Sequence, residues 1–190
     1  TGTISIRAGT VQSMEGQVAS AFGTVLRSVS GSDPLFYNGA ALSPDGSMYV
    51  LPIPIGISTS AHDLLLAATT AGATPTNLTN SAESGVTNVN PDISPDGTKI
   101  VFARKEASSS TYDLYLINID GSGLRQLTNT PHFSETNPSW SPDGASVAFS
   151  GRHSAGFESD APALNAGESV NWNIYILTLP PLNIVTPKTT

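Results

Sequence analysis

The apolar residues of this chain fall into short runs separated by clusters of Gly, Pro, Ser, Asn and Asp. Three runs, Met48-Tyr49-Val50-Leu51, Ile100-Val101-Phe102-Ala103 and Val147-Ala148-Phe149, are apolar at consecutive positions. That pattern predicts strands with neither face in water. A second set of strands is predicted at His62-Asp63-Leu64-Leu65-Leu66, Tyr112-Asp113-Leu114-Tyr115-Leu116 and Trp172-Asn173-Ile174-Tyr175-Ile176. Near the start, Thr3-Ile4-Ser5-Ile6-Arg7 alternates as an edge strand does, and Gly23 to Val29 predicts another strand. The apolar stretch Tyr49 to Ile57 is short and is broken by Pro52 and Pro54. No segment approaches the roughly 18 consecutive apolar residues of a membrane-spanning helix.

These strands recur in a fixed order around one turn. Ser43-Pro44-Asp45-Gly46 returns as Ser94-Pro95-Asp96-Gly97 and as Ser141-Pro142-Asp143-Gly144, at spacings of 51 and 47 residues. Proline pre-sets φ at the second position of a type I turn, Asp suits the third, and Gly takes the left-handed position that follows. The turn therefore predicts a hairpin joining the first two strands of each unit, with a bulge at the glycine. Asn77-Leu78-Thr79-Asn80 answers Arg125-Gln126-Leu127-Thr128-Asn129, and Asp120-Gly121-Ser122-Gly123 is expected to turn into an outer strand. A period of this length, with several short strands per unit, fits one four-stranded propeller blade per repeat.

The run from Asn90 through Ser94-Pro95-Asp96-Gly97 to Phe102, then Tyr112 to Tyr115, then Asp120 to Thr128, resembles the TolB-type, WD-like propeller repeat. The resemblance is most specific over residues 90–150 and good over 38–89. It is recognisable to about residue 186 and absent from 1–37. It implies an all-β propeller of four-stranded antiparallel blades. It further implies a bacterial, extracytoplasmic protein, periplasmic or secreted, that serves as a non-catalytic interaction platform. Such repeats also form accessory propellers of serine peptidases, so an enzyme context stays open. The chain is expected to be one domain: blades at 38–89, 90–137 and 138–190, with 1–37 a degenerate blade or closing strands. A closed four-bladed ring, a piece of a larger one, and a ring completed by another molecule are all consistent with three clear repeats. The terminal strands around Ile4 and Ile6 and at Leu182-Asn183-Ile184-Val185 are the candidates to satisfy the exposed edges.

Composition narrows the function classes. The net charge is −7 and the pI about 4.7, with Lys and Arg scattered, which argues against nucleic acid and anionic membranes as partners. The absence of cysteine excludes disulfides and thiolate metal sites. No charged n-region or apolar h-region opens the chain, and the expectation is that any export signal has been removed or was never there. Asp92 to Gly97 has a superficial likeness to a calcium loop, but the twelfth position, where an EF-hand needs Glu, is Ala103. His62, His132 and His153 lack ligand spacing, and His62 shares its position with Tyr112 and Trp172, as a packing residue would. No Gly-x-Ser-x-Gly elbow, His-Glu-x-x-His or phosphate loop is present, and Glu158 and Asp160 are expected to be solvated. The expectation is no catalytic residue, no cofactor and no metal. A protein, peptide or glycan partner is expected, with self-association through strand edges as an alternative. The third unit carries about a dozen extra residues after Gly151; His153, Phe157 and Leu164 mark this as a candidate interaction loop. Asn77-Leu78-Thr79 is also a formal glycosylation sequon.

Overall fold

A computed structural model describes residues 3–8, 24–30, 39–54, 61–70, 72–154 and 172–180. Their regular elements are strands, apart from one 3-10 turn at Ala82–Ser84. Strands β1 (Thr3–Ala8) and β2 (Thr24–Ser30) pair antiparallel with each other. The N-terminal edge strand expected at Ile4 and Ile6 is thus hydrogen-bonded into a two-stranded sheet; the C-terminal run 182–185 lies outside the described residues.

The first unit is an antiparallel meander of β3 (Ala41–Leu42), β4 (Met48–Pro54), β5 (His62–Ala68) and β6 (Thr76–Asn77). The middle unit repeats it with β7 (Thr87–Ile93), β8 (Lys99–Lys105), β9 (Asp113–Asn118) and β10 (Arg125–Gln126). In the third unit β11 (Phe133–Trp140), β12 (Ser146–His153) and β13 (Asn173–Thr178) are described. The first two units join through one parallel pair, His62 opposite Thr87. Among the described residues the units pack in an open row and do not close a ring.

Packing follows from alternation along the strands. On β8, Ile100 and Phe102 pack with Val50, Leu64, Leu78 and Ile93 at the seam with the first unit. Val101 packs with Leu116 and Val147 at the seam with the third. Ile100, Val101, Phe102 and Ala103 are all fully buried because β8 has a unit on each side. Burying each large side chain there contributes roughly 1.5–3 kcal/mol. The apolar runs on β4 and β8 were therefore legible as sandwiched strands, whereas on β12 burial alternates, with Val147 and Phe149 buried and Ala148 half-buried.

The inner strands share one more device. Gly39, Asn90 and Asn137, each four residues before the turn serine, have φ of 83°, 51° and 52°. The pairing of β7 with β8, and of β11 with β12, slips at this point. Asn tolerates the left-handed region better than other side chains do. Pro91 and Pro138, which follow, have no N–H to lose from the ladder.

In the three repeated turns, Gly46, Gly97 and Gly144 adopt φ of 69°, 71° and 69°. Each glycine N–H donates to the turn serine carbonyl, at 2.8, 2.8 and 2.9 Å. A Cβ on Gly97 would meet only Pro44 Cδ, at 3.9 Å, so a substitution there is strained by φ rather than by crowding. Gly97→Val is expected to cost roughly 1–3 kcal/mol. A melting temperature equal to the parent's would show that the turn does not hold this conformation in solution.

Candidate functional site

Each unit is tied to the next by buried polar groups at the strand ends. Thr79 Oγ1 accepts from Leu64 N at 3.0 Å, and Thr128 Oγ1 accepts from Leu114 N at 2.8 Å. Both then donate to a buried carboxylate, but not to the same one. Thr79 donates to Asp63 of its own unit at 2.8 Å, while Thr128 donates to Glu135 of the next unit. Asn88 takes the place of Glu135 at the preceding seam. Its Nδ2 donates to His62 O at 2.8 Å and to Ser81 Oγ at 2.9 Å.

The electrostatics separate these carboxylates. Burial alone would push the Asp63 carboxyl up, but donation from Asn77, Ser81 N–H, Thr79 and Ala82 N–H outweighs it and holds the group below its ordinary value. Asp113, at the same repeat position, is pushed up by burial, with only Thr130 N–H and Gln126 to oppose it. Burial likewise raises Glu135 despite its bonds from Thr128 and Thr130. The turn aspartates go the other way. The hydroxyl of Ser43 leads in holding Asp45 down to about 2, and Ser94 and Ser141 act alike on Asp96 and Asp143.

A cavity of about 350 Å³ opens between the middle and third units, beside the third turn. Lys99, Leu116 and Arg125 line it from the middle unit; Trp140, Asp143, Gly144, Ala145, Leu179 and Pro180 complete it. Strand register explains the first wall. Val101 pairs with Leu116 and Leu116 with Arg125, and Lys99 is two residues from Val101, so all four share a face. Trp140 is fixed from behind, its backbone N–H donating to Asp92 Oδ2 at 2.8 Å and its indole N–H to Asp92 O at 3.3 Å. Lys99 Nζ donates to Asn118 Oδ1 at 3.0 Å. Arg125 is exposed, and among the described residues its guanidinium has no hydrogen-bond or ion-pair partner. The cleft thus combines an apolar floor, an indole and two cations. Its volume is at the small end of the roughly 300–1,000 Å³ typical of ligand pockets.

The residues singled out from the sequence fall elsewhere. Ser43, Ser94 and Ser141 each bond the aspartate two positions on, at 2.6, 2.6 and 2.5 Å, and accept from a backbone N–H at 2.9 Å in every copy. Pro44 and Pro95 lie against Gly97 and Gly144 of the following turn. Only Asp143 and Gly144 of the twelve turn residues reach the cleft. His153 ends β12 and is buried, its ring edge-on to Phe133 with centroids 4.7 Å apart. Strand alternation thus turns His153 inward and places it in the strand, not the loop; Phe157 and Leu164 lie outside the described residues. The Asn77 amide donates to Asp63 at 2.9 Å. Asp92 is committed to Trp140, and no cluster of three or more metal-ligating side chains occurs among the described residues. Sequence reasoning passed over Lys99 and Arg125. The signal was in the repeat itself, which places Met48 and Thr76 at their positions in the first unit.

No protein-family model matches the sequence, and no curated relative does. Solved structures do match. A TolB-family structure from Agrobacterium tumefaciens aligns at TM-score 0.54 and 23% identity, over 73% of this chain and 44% of its own. TolB from Acinetobacter baumannii aligns at TM-score 0.54 and 15% identity, over 82% of this chain and 32% of its own. The chain is TolB-like in fold. An oligogalacturonate lyase from Vibrio parahaemolyticus shares the TolB-like arrangement at TM-score 0.50 and 18% identity, over 68% of this chain and 38% of its own. The chain spans less than half the length of each of these structures. One fold carries both a Tol protein and a lyase here, so activity has to be argued from the site.

Proposed function

We propose that this TolB-like chain is a non-catalytic binding module, an extracytoplasmic interaction platform for a protein, peptide or glycan. The observation that carries this reading is the cleft between the middle and third units, where a fixed indole and two cations converge on an apolar floor. Its side chains suit recognition. None is a nucleophile beside a base, and the one carboxylate, Asp143, is occupied by Ser141 and the Ala145 N–H.

Arrays of peptides and glycans test it. Saturable binding is expected, lost in the double variant Lys99→Met, Arg125→Thr, together with no turnover of ester, peptide or glycoside probes. Reproducible turnover abolished by a single Ser, His or Asp substitution would overturn the reading.

A second reading, a structural subunit that assembles through its blades, is favoured by the outer face of the third unit. Ile174 and Ile176 there are each 74% exposed. Concentration-dependent mass in solution, abolished by Ile176→Lys, would favour that role over the first.

A further inference from the structure

The chemistry of the cleft narrows the ligand, and the inference rests on the binding-module reading. Arg125 and Lys99 stand on the middle unit's side of the cavity, and Leu116, Trp140, Leu179 and Pro180 make its apolar surface. The corresponding positions in the first unit are Met48 and Thr76, so the two cations are particular to this seam and are not required by the fold. They stand out on a chain whose net charge is −7. Acidic groups surround Lys99: its charge helps to lower Asp96 and Asp120, and Asp143 lines the same cavity. The Lys99 ammonium is already engaged by Asn118 Oδ1. The planar, exposed guanidinium of Arg125 has no anion of its own among the described residues, and its fork matches a carboxylate in bidentate geometry.

We propose that the cleft binds the C-terminal carboxylate of a partner polypeptide whose last residue is apolar. The carboxylate sits on Arg125, and the terminal side chain enters between Leu116, Trp140 and Leu179. A pocket of this volume fits the last residue of a peptide. End capture of this kind is a recurrent way to read peptides. A sugar acid or a free alkyl carboxylate shares the charge but not the peptide groups.

The probe is the peptide acetyl-Gly-Ser-Gly-Leu as the free acid, as the C-terminal amide, and with its Leu replaced by Ser, titrated into the full chain. The readout is the amide and indole NMR resonances of Trp140, with the indole of Trp172 as control. The free acid is expected to shift Trp140 saturably and to bind at least about tenfold more tightly than the amide or the Ser peptide. Arg125→Thr should remove that preference, and the melting temperature should be unchanged because Thr76 fills this position in the first unit. Equal affinity for acid and amide, or an unaltered preference in Arg125→Thr, would overturn the proposal. Array ligands lacking a free carboxylate that nevertheless shift Trp140 would overturn it while leaving the binding-module reading intact. If no array ligand or probe shifts Trp140, both fall.

Discussion

Truncating Leu114 to Ala should destabilise the chain by about 2–5 kcal/mol, while Ile174→Ala, at the same repeat position, should cost about 1 kcal/mol or less. The two side chains occupy equivalent points on the third strand of their units, each followed two residues later by Leu116 or Ile176. What differs is the neighbour. Leu114 is 0% and Leu116 6% exposed, because Phe133, Val147 and Phe149 of the third unit close over them. Ile174 and Ile176 face outward, while the alternate residues Tyr175 and Leu177 pack inward against the Phe133–Phe149 cluster. Truncating Leu114 opens a cavity in a packed seam, whereas truncating Ile174 removes surface that water already touches. Urea unfolding of both variants at low protein concentration measures the contrast. Equal losses would mean that the outer face is covered in solution, or that the repeat alignment is out of register.

Asp63→Ala is expected to be comparably severe, costing roughly 3–5 kcal/mol. The carboxylate is buried, and it accepts from Asn77 Nδ2 at 2.9 Å, Thr79 Oγ1 at 2.8 Å, Ser81 N at 2.8 Å and Ala82 N at 3.0 Å. Alanine leaves all four donors without their acceptor. The pH dependence has a definite sign. Asp63 is held below its ordinary value in the folded state, so its contribution is present above the unfolded pKa of about 3.9 and is lost as pH falls through the folded value. The stability gap between parent and variant should therefore be widest near neutrality and narrow on the acid side. A gap constant down to pH 2 would show that the charge on Asp63 does not matter to the fold.

Local features of the molecule could be read from sequence, and features assembled across the chain could not. In the Ser-Pro-Asp-Gly turns the bonds of the serine and aspartate side chains span two to five residues, so chemistry and conformation could be read together. The difference between Asp63 and Asp113 was hidden. The motif is the same, but only after β6 does a 3-10 turn bring the Ser81 and Ala82 N–H groups onto the carboxylate. Asp113 receives two longer bonds, 3.2 and 3.3 Å, and burial prevails. Glu135 carried no signal because its partner Thr128 belongs to the preceding unit. His153 was misplaced because the longer segment after Gly151 disguises where β12 ends. Arg125 and Lys99 were visible only as departures from Thr76 and Met48, a comparison that needs the units aligned before their chemistry is considered.

The outward face of the third unit also bears on how such a chain grows. Leu64, Leu114 and Ile174 are successive copies of one position, and each of the first two is met by the unit that follows. A duplicated stretch of about fifty residues, joined after the third unit, would find its contact surface already in place. Lengthening the array would thus require no new core, only one more copy of an old one.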